Sequence, residues 1–571
     1  MIGWTGGEIA AAVGGRLSVP AVSAGSRPEV EIDVSGPVVV DSRQATAGSL
    51  FVAIEGEHAD GHEFAAAAHA AGAALVLADR DVPGVPCVVV PDTVAALGRL
   101  ARAHLDRLLA PADDAGGASD AEARSPTDES PIARRPSSQS PFPIVIGITG
   151  SSGKTTTKDL LAQLLARHGT TVAPPGSYNN EIGVPLTVLR ADESTRYLVL
   201  EMGARGRGHI RHLCSIAPPR VGVVLNVGLA HAGEFGTKQD TAEAKSELVA
   251  AVPADGLAVL NGDDDLVAAM RDRTEATVLT FGLTGDIQAR DIRLDGRGRA
   301  AFTLVTAEGE ARVELRLAGP HHVSNALAAA TVATGLGIET TSVAAALSAA
   351  TATSRWRMEV HDRPDGVTVI NDAYNANPDS VRAGLEALTA ISAAGEAGGC
   401  QDAARVRRRS WAVLGEMLEL GSWSVHEHES VGRLAARLGV DRIVAVGAGA
   451  EPIHRGAMAA RRRPIGRRAA AAAGVDPPEA PVSVVPPDRA TSPPVASLYV
   501  PDAGAAIALL RAELRPGDVV LVKASRGIGL EWVAESLLAA DEPAGSVQMA
   551  REPTGDRARA VAEGHAEEVL G

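Results

Sequence analysis

The sequence predicts an α/β protein of three domains, and three observations support this prediction. The chain has 571 residues, more than one hydrophobic core usually organises. Short β-branched runs alternate along it with longer stretches of helical periodicity, as in parallel sheets with crossover helices. Two segments poor in large apolar residues, 111–142 and 455–496, interrupt this alternation. We expect an N-terminal α/β domain, a central domain around a parallel sheet, and a C-terminal Rossmann-like domain.

The composition excludes several classes of protein. Apolar residues make up 45% of the chain and charged residues 22%, as in ordinary soluble proteins. The net charge of −16 argues against a nucleic-acid binder. Three cysteines show neither metal-ligand spacing nor a disulfide framework, which favours a reducing cytoplasm. The N-terminus lacks a signal-peptide pattern and no stretch approaches ~20 apolar residues, so a cytoplasmic location is expected.

The N-terminal domain is expected over residues 1–110, as one α/β unit. Asp41, Ser42 and Arg43 directly follow its first predicted strand, and ligands of open α/β sheets tend to bind at the C-terminal ends of strands. From spacing alone, a solvated turn is the preferred interpretation of these three residues. The predicted strands are Val38–Val40, Leu50–Ile54, Ala74–Leu77 and Val88–Val90, and the predicted helices are Phe64–Ala74 and Thr93–Leu109.

Three segments are predicted to lie outside the packed domains. Residues 111–142 offer too little apolar surface to order themselves, so we expect a disordered linker there. Residues 455–496 form an Arg-, Ala- and Pro-rich insertion in the C-terminal domain. Its arginine clusters raise the alternative of a nucleic-acid patch, but in an acidic chain a solvated loop is preferred. The polar tail 541–571 is expected outside the fold.

A glycine-rich phosphate loop lies at the start of the central domain, which we expect over residues 143–354. The segment Pro143–Thr157 reads PIVIGITGSSGKTTT. It contains a predicted β-branched strand, Ile144–Thr149, then a turn of glycines and serines, and then the start of a helical pattern. Backbone N–H groups of such a loop bind phosphate, Lys154 adds a positive charge, and Thr155 can hold Mg²⁺. The compact GSSGKT spacing points to one class of ATP-binding enzymes. The predicted ATP-binding residues of the loop are Gly150, Ser151, Ser152, Gly153, Lys154, Thr155 and Thr156.

Two further strands of the central domain are predicted to end in candidate metal ligands. Tyr197–Leu200 leads to Glu201, and Val221–Leu225 leads to the segment that contains His231. A carboxylate beside a phosphate loop suits Mg²⁺, which prefers oxygen ligands. A histidine is a less usual ligand of this ion, so His231 taken alone is better explained as a hydrogen-bonded turn residue.

A lysine on the next predicted helix, Asp240–Ala251, has two interpretations. Lys245 lies in the run AEAKSEL, and the pattern alone favours a solvated helix residue. Glu243 and Glu247 are its neighbours in the sequence, and we expect their charges to favour the protonated form of the lysine.

The C-terminal domain is expected over residues 355–540, joined to the central domain by a short hinge near Arg355. Polar residues follow its predicted strands, so this domain could close over a nucleotide on the central sheet. After the loop Asn371–Asn377, the residues Pro378-Asp379-Ser380 are typical of a helix start. The predicted strands are Thr368–Ile370, Ala412–Leu414, Ile443–Val446 and Val519–Val522.

Short motifs in all three domains resemble those of one enzyme family. The phosphate loop reads TGSSGKT. The N-terminal domain contains VVVDSR and DGHEF, and the central domain contains NNEIGVPLTVL, EMGA, NVGLAH and AKSE. The C-terminal domain contains NDAYNANPDS, VLGEMLELG and LVKASRG. These motifs follow one another as in Mur ligases and cover most of residues 36–535, so the chain resembles that family over most of its length.

The resemblance implies an ADP-forming peptide ligase. The pair NDAYNANP and LGEMLELG is similar to the members that add D-alanyl-D-alanine to UDP-N-acetylmuramoyl-tripeptide through an acyl phosphate, which gives a precursor of peptidoglycan. Lys154 would contact the β- and γ-phosphates of ATP, and Thr155, Glu201 and His231 would hold Mg²⁺. The lysine that matches Lys245 would carry a CO₂-derived carbamate that helps to hold a second Mg²⁺.

The same resemblance implies further contacts with the substrates. A monomer that binds no nucleic acid and spans no membrane is also expected. The implied adenosine contacts are Asn325 and Asp372, those of the UDP-sugar are Asp41, Ser42 and Arg43, and those of the dipeptide and phosphates are Asn375, Lys523 and Arg526.

Two alternatives stay open at this point. The first keeps the fold and the mechanism with other substrates, as in another Mur ligase or a folylpolyglutamate-synthase-like ligase. NDAYNANP and the UDP-type first domain argue against it. The second is an ATP-binding switch that forms no bond. A switch needs no second metal ion, so Glu201, His231 and Lys245 together argue against this alternative.

Overall fold

The structure is a computed structural model, and it describes residues 3–20, 31–56, 59–110, 143–228, 236–393, 407–461 and 496–539. The predicted linker 111–142 and tail 541–571 lie outside the described residues, as do His231 and most of the predicted insertion. The described residues form three successive α/β units, each built on its own sheet. None of the helices in these stretches combines the length and the hydropathy needed to cross a membrane.

The N-terminal unit is a five-stranded sheet with one antiparallel edge. Helix Thr93–Leu109 has the predicted bounds because Asp92 caps it, accepting a hydrogen bond from the Ala95 N–H at 2.9 Å. The predicted helix Phe64–Ala74 is shorter than expected. It covers only Ala65–Ala70, since Gly72 follows with a φ of 117° that a helix cannot include.

The remaining elements of this unit are short. Two 3₁₀ helices, Ser42–Gln44 and Gly61–Phe64, each begin after an aspartate that caps the turn. In sheet order the strands are Arg16–Ser18, Cys87–Val89, Leu75–Ala78, Leu50–Val52 and Val38–Val39. A separate two-stranded sheet pairs Trp4–Thr5 with Asp33–Val34, and Gly6–Val13 is a further helix.

The central unit is a six-stranded parallel sheet whose inner strand leads into the phosphate loop. Ile144–Thr149 lies between Tyr197–Glu201 and Val221–Val224, so the C-terminal ends of these three strands meet at one edge. The outer strands are Thr171–Val172, Leu257–Asn261 and Thr277–Phe281. The helices are Lys154–Leu165, Gly183–Val188, His209–Ile216, Lys238–Ala250, Asp265–Ala268, His322–Gly335 and Thr340–Ala349, and Ala269–Arg273 is a 3₁₀ helix.

A three-stranded antiparallel sheet that the sequence analysis did not predict packs against the central unit. Strand Arg299–Thr306 pairs with Gln288–Leu294 on one side and with Gly309–Ala318 on the other. Every second residue of the middle strand is buried, and Phe302 and Leu304 belong to the same hydrophobic core as helix His322–Gly335. This alternation of period two is visible in the sequence and could have indicated the strand.

The C-terminal unit is a six-stranded sheet that is parallel except for one edge strand. The antiparallel edge, Glu359–Asp362, directly follows the connection from the central unit. The other strands, in sheet order, are Thr368–Asn371, Val519–Lys523, Ser410–Leu414, Arg442–Val446 and Ala496–Val500. The helices are Pro378–Ala393, Ser424–Leu438, Glu451–Arg461, Ala503–Glu513 and Glu531–Leu538, and the 3₁₀ helices are Gly421–Trp423, Ala448–Ala450 and Arg526–Ile528.

The predicted start of the insertion at residue 455 is wrong. Residues 455–461 continue helix Glu451–Arg461, and Ala496 already belongs to a strand. Ile453 and Ala457 lie four residues apart and are buried, so one face of the helix packs into the domain core. The arginine-rich composition hid this short apolar face.

The connection between the central and C-terminal units is bonded to the phosphate-loop helix. The Gln163 side chain exchanges two hydrogen bonds with the Thr351 backbone, at 2.9 and 3.1 Å. The Ser354 N–H donates to the Asp159 carboxylate at 3.2 Å. Trp356 and Met358 then have φ values of 56° and 52°, a region that non-glycine residues seldom adopt. The unusual backbone coincides with the hinge predicted from the sequence.

Candidate active site

All three units contribute to one cleft of about 1860 Å³. It lies where the central strands end and where the polar loops of the C-terminal unit face them. Of the predicted site residues, Ser42, Gly150 and Lys245 do not line the cleft, and His231 lies outside the described residues. The predicted residues that line it are Asp41, Arg43, Ser151, Ser152, Gly153, Lys154, Thr155, Thr156, Glu201, Asn325, Asp372, Asn375, Lys523 and Arg526.

The phosphate loop requires glycine at position 153. Gly153 has a φ of 83°, and a Cβ atom there would lie 2.5 Å from Oδ1 of Asn325. The backbone therefore needs glycine for its conformation and for the close approach of the asparagine. Lys154 follows directly, and its Nζ atom donates a hydrogen bond to the Gly150 carbonyl oxygen at 2.8 Å. The loop thus curls around the lysine side chain, at the N-terminus of a helix.

The Glu201 carboxylate is the centre of a buried polar network beside the phosphate loop. Its Oε2 atom accepts a hydrogen bond from the Thr155 hydroxyl at 3.0 Å. Its Oε1 atom accepts from the Ser177 hydroxyl at 2.8 Å and from the Asn179 amide at 2.9 Å. Ser177 and Asn179 were not predicted as site residues, although Asn179 begins the NNEIGVPLTVL motif.

Two lysines near this network have lowered pKa values. Burial lowers the pKa of Lys154, and the nearby Glu201 carboxylate opposes that shift. Burial also lowers the pKa of Lys245 well below its usual value, and the charge of Lys154 adds to the effect. Both causes favour a neutral amine at Lys245.

The acidic neighbours of Lys245 in the sequence are engaged elsewhere. Glu243 pairs with Arg207 at 2.7 Å. Glu247 accepts hydrogen bonds from the backbone N–H groups of Gly208 and Arg211, at 2.6 and 3.0 Å. The expectation that these two glutamates favour protonated Lys245 is therefore wrong. The Glu243 carboxylate binds an arginine instead, and the Glu247 carboxylate binds backbone N–H groups at the start of helix His209–Ile216.

A buried ion pair lines the cleft on the side of the C-terminal unit. Lys523 Nζ lies 2.7 Å from Asp372 Oδ2, and it also donates to the Asn375 carbonyl oxygen at 2.9 Å. Burial lowers the pKa of Lys523, and the Asp372 carboxylate opposes that shift. The other carboxylate oxygen of Asp372 accepts from the Met358 N–H at 3.1 Å. Lys523 is thus bonded to Asp372 and to Asn375, which were predicted as separate ligand contacts.

Two arginines that reach the cleft pack on aromatic rings. Arg357 lies 4.1 Å from the centre of the Tyr374 ring, and its Nη2 atom donates to the Thr155 hydroxyl at 3.1 Å. Arg526 lies 4.1 Å from the centre of the Trp356 ring. Arg526 was predicted as a site residue, whereas Arg357 was missed. Its contact with Thr155 spans 202 positions, and no local pattern indicates it.

Further polar groups of the cleft were also missed. The Asn377 amide donates to the Ser151 carbonyl oxygen at 3.2 Å, which joins the C-terminal unit to the phosphate loop. His321 and His322 line the cleft close to Asn325. Burial lowers the pKa of His321 to about 4 and that of His322 well below its usual value, so both rings are neutral near pH 7.

The predicted turn in the N-terminal unit is present and also faces the cleft. Asp41 Oδ1 accepts a hydrogen bond from the Arg43 N–H at 3.0 Å, and the two side chains pair at 2.6 Å. The hydrogen bond from the Arg43 guanidinium lowers the pKa of Asp41. Asp41 also lines a second, smaller cavity of about 260 Å³, which shares Gln44 and Tyr178 with the cleft. The solvated turn and the ligand contact are therefore compatible.

The predicted metal ligands are only partly described. Among the described residues, no group of three His, Cys, Asp or Glu side chains is arranged to hold a metal ion. The Thr155 hydroxyl and the Glu201 carboxylate nevertheless place two hard oxygen donors beside the phosphate loop. His231 and the metal contacts of Lys245 stay predictions.

Three family profiles match the chain. The profile described as "Mur ligase family, catalytic domain" matches residues 37–104, "Mur ligase middle domain" matches residues 148–333, and "Mur ligase, glutamate ligase domain" matches residues 356–526. The matches fall on the three described units in order.

Curated proteins with high similarity have one name in common. "UDP-N-acetylmuramoyl-tripeptide--D-alanyl-D-alanine ligase" from Mycobacterium tuberculosis (strain ATCC 25618 / H37Rv) is 48% identical over 554 residues, which are 96% of this chain and 100% of that protein. The protein of the same name from Bacillus subtilis (strain 168) is 30% identical, over 90% of this chain and 95% of its own length.

Solved structures agree with these relatives. MurF from Acinetobacter baumannii is similar with a TM-score of 0.71 and 27% identity, covering 94% of this chain and 99% of that one. MurF ligase from Thermotoga maritima in complex with ADP gives a TM-score of 0.65 and 27% identity, covering 88% of this chain and 97% of that one.

Proposed function

Since this chain belongs to the Mur ligase family, we propose that it uses ATP to join D-alanyl-D-alanine to UDP-N-acetylmuramoyl-tripeptide. The single observation that carries the proposal is the cleft, in which a phosphate loop faces polar residues from both flanking domains. The name of the M. tuberculosis relative, 48% identical over nearly the whole chain, supports the choice of substrates. This assignment disfavours the folylpolyglutamate-synthase-like alternative.

The nucleotide is proposed to bind at the phosphate loop. Backbone N–H groups at the start of helix Lys154–Leu165 face the phosphates, and Lys154 adds a positive charge. Asn325 lies against Gly153 and Asp372 faces the cleft, where the adenosine would be held. The T. maritima structure is a complex with ADP, which supports the use of an adenine nucleotide.

Mg²⁺ is proposed at Thr155 and Glu201, with His231 as a further ligand. The hydroxyl and carboxylate oxygens, 3.0 Å apart and buried, fit an ion that prefers oxygen ligands and also binds substrate phosphates. When bound, the ion would neutralise charge on the phosphates of ATP.

Lys245 is proposed to carry a carbamate. CO₂ adds only to a neutral amine, with formation of an N–C bond and loss of one proton to solvent. Burial and the charge of Lys154 favour that neutral amine, and the residue is only 4% exposed. The adduct exchanges a cation for oxygen atoms, which suits a second Mg²⁺.

The residues of the cleft suggest how the reaction proceeds. The carboxylate of the tripeptide attacks the γ-phosphorus of ATP, ADP leaves, and an acyl phosphate forms. The amine of the dipeptide then attacks the acyl carbon, inorganic phosphate leaves, and the amine loses a proton. Lys154 and Arg357 supply fixed positive charge beside the transferred phosphoryl group. The C-terminal domain, bonded to the loop through Asn377, would exclude water from the acyl phosphate.

The test is a reaction of the purified chain with ATP, Mg²⁺ and a panel of UDP-N-acetylmuramoyl peptides and amine acceptors, with products identified by mass. We expect product only from the tripeptide with D-alanyl-D-alanine, and ADP release only when both are present. Comparable turnover of a monopeptide or dipeptide precursor with a single amino acid would contradict the proposed substrates. ADP release that needs neither substrate would favour the ATP-binding switch.

A further inference from the structure

One turn of the C-terminal unit presents side chains to the cleft without belonging to the phosphate or metal network. Residues 415–420, the cleft turn, follow strand Ser410–Leu414, and Leu418 and Glu419 line the cleft. The turn is bonded to the loop after Lys523. The Leu418 N–H donates to the Ser525 hydroxyl at 2.9 Å, and the Ser525 N–H donates to the Glu416 carbonyl oxygen at 3.0 Å. The cleft turn is therefore fixed to the wall of the site.

The backbone of the cleft turn is held in an unfavourable conformation. Glu419 has a φ of 63°, the left-handed region that a side chain with a Cβ atom seldom adopts. A residue in this conformation is strained and persists only where its surroundings fix it. Its position has an electrostatic consequence. Glu419 and Lys154 line the same cleft, and the Glu419 carboxylate is one of the charges that oppose the lowering of the Lys154 pKa by burial.

A buried histidine holds this turn from behind. His428 lies on helix Ser424–Leu438 with no exposed surface, and its Nε2 atom accepts a hydrogen bond from the Met417 N–H at 2.8 Å. Its Nδ1 atom lies 2.7 Å from the Ser424 carbonyl oxygen. A carbonyl oxygen can only accept, so Nδ1 carries the proton and Nε2 is the bare acceptor. Only the neutral ring, in this one tautomer, makes both bonds.

We propose that His428 acts as a positioning residue for the amine acceptor. His428 holds the cleft turn in the conformation in which Leu418 and Glu419 contact the incoming dipeptide. The inference rests on the proposed function. A carboxylate repels the phosphates of ATP and of the UDP-sugar but attracts an ammonium group, and an exposed leucine suits a methyl side chain. The turn lines the same cleft as Lys154, beside which the acyl phosphate would form. These features select the acceptor among the three substrates.

Two substitutions of His428 separate positioning from packing. In His428→Asn the shorter amide cannot reach the Met417 N–H, whereas the side-chain oxygen of His428→Gln can take the place of Nε2. We expect the KM for D-alanyl-D-alanine to rise about 10-fold or more in His428→Asn, with the KM for ATP within about 2-fold. His428→Gln should restore most of the loss. A buried histidine that merely stabilises the domain would change both constants together or neither.

The matched control is His104→Asn in the N-terminal unit. His104 is equally buried, accepts from the Trp4 indole at 3.2 Å and bonds to the Ala191 carbonyl oxygen at 2.9 Å. His104→Asn should lower the melting temperature of the protein without changing the KM for D-alanyl-D-alanine. A second test does not depend on core packing: Glu419→Gln should raise the KM for D-alanyl-D-alanine. Combined with His428→Asn it should add less than its separate effect, because both act through one turn.

The outcomes distinguish the inference from the proposed function. If the wild-type enzyme forms no product from D-alanyl-D-alanine, the proposed function fails and the inference fails with it. If the wild type forms product and both His428→Asn and Glu419→Gln leave the KM for the dipeptide unchanged, the inference alone is overturned. Fully additive effects in the double variant would also overturn it.

Discussion

The Nη2 atom of Arg357 lies 3.1 Å from the hydroxyl oxygen of Thr155, and this bond joins the C-terminal unit to the first turn of the phosphate-loop helix. The guanidinium is also fixed by the ring of Tyr374, 4.1 Å away. It therefore stands beside the phosphate loop in one orientation. The neighbouring residues Trp356 and Met358 both have positive φ values. This unusual backbone conformation positions Arg357 beside the phosphate loop.

We expect Arg357→Ala to lower kcat about 100-fold, which corresponds to ~2.7 kcal/mol of barrier. The reason is that a fixed cation aimed at the transferred phosphoryl group acts mainly in the transition state. Arg357→Lys should recover only part of the rate, since an ammonium cannot both lie on Tyr374 and bond to Thr155. Steady-state kinetics with saturating substrates provide the measurement.

The control for this prediction is Arg297→Ala. Arg297 pairs with Asp362 at 2.9 Å between the same two units, but both side chains are about half exposed. Exposed pairs of this kind contribute little, so kcat should stay within about 2-fold of the wild type. A kcat for Arg357→Ala as high as that of the control would contradict the assigned role.

Gly153→Ala is expected to weaken ATP binding by at least 10-fold. The alanine would need a left-handed φ, at a cost of roughly 1–2 kcal/mol, and its Cβ would lie 2.5 Å from Asn325 Oδ1. Titration calorimetry with a non-hydrolysable ATP analogue measures the affinity. Gly206→Ala is the control, because a Cβ there meets nothing within 4 Å and the φ is ordinary. Equal affinities for the two variants would show that the loop tolerates a side chain.

The sequence predicted the local parts of the site better than its long-range contacts. Strand Ile144–Thr149 and helix Thr93–Leu109 have their predicted bounds, since a β-branched run and an aspartate cap are signals within a few residues. By contrast, the bond from Arg357 to Thr155 and the pair of Lys523 with Asp372 span 202 and 151 positions. Propensity and spacing carry no signal for such contacts.

The family motifs indicated a functional residue that the residue spacing alone did not indicate. From the pattern alone, Lys245 was a solvated helix residue, and only the match to AKSE suggested otherwise. The structure places it 4% exposed, on a helix whose burial no local rule revealed. The helix has almost no amphipathic pattern in the sequence, because the polar Thr241, Lys245 and Ser246 are on its buried side. A buried polar residue defeats a rule that predicts burial from hydrophobicity.

Lys245→Ala should reduce kcat by orders of magnitude while ATP binding changes little. If the lysine works as a carbamate, added acetate should restore part of the rate by supplying a carboxylate in the space the side chain leaves. Lys245→Arg should be as inactive as the alanine variant, since a guanidinium keeps the charge but offers no oxygen. Initial rates with and without acetate are the measurement. An arginine variant with a near-normal rate would mean that only positive charge is needed.

The lowered pKa of Lys245 also predicts a stability effect. A lysine in an unfolded chain has a pKa of about 10.4, whereas burial lowers it in the folded protein. Between the two values the unfolded state binds one more proton, so stability rises with pH across this range. Lys245→Met removes this dependence. In buffer free of CO₂ and metal ions, its melting temperature should exceed that of the wild type at pH 7, and the difference should shrink towards pH 10. A lower melting temperature at pH 7 would contradict the burial of a neutral amine.

The last prediction concerns the boundary at residue 461, where helix Glu451–Arg461 ends. Replacement of residues 462–495 by a short Gly/Ser linker should leave kcat within a few-fold, because a change of loop length alters closure entropy only slightly. A cut that also removes 451–461 should lower the melting temperature by several degrees, since it deletes the buried Ile453 and Ala457 together with the contact of Arg455 with Glu429 at 3.6 Å. Thermal unfolding and steady-state kinetics on the two truncated chains give the comparison. Equal melting temperatures would mean that the helix adds nothing to the core. A loss beyond ~100-fold in kcat for the shorter deletion, in a protein that still folds, would show that the insertion takes part in the reaction.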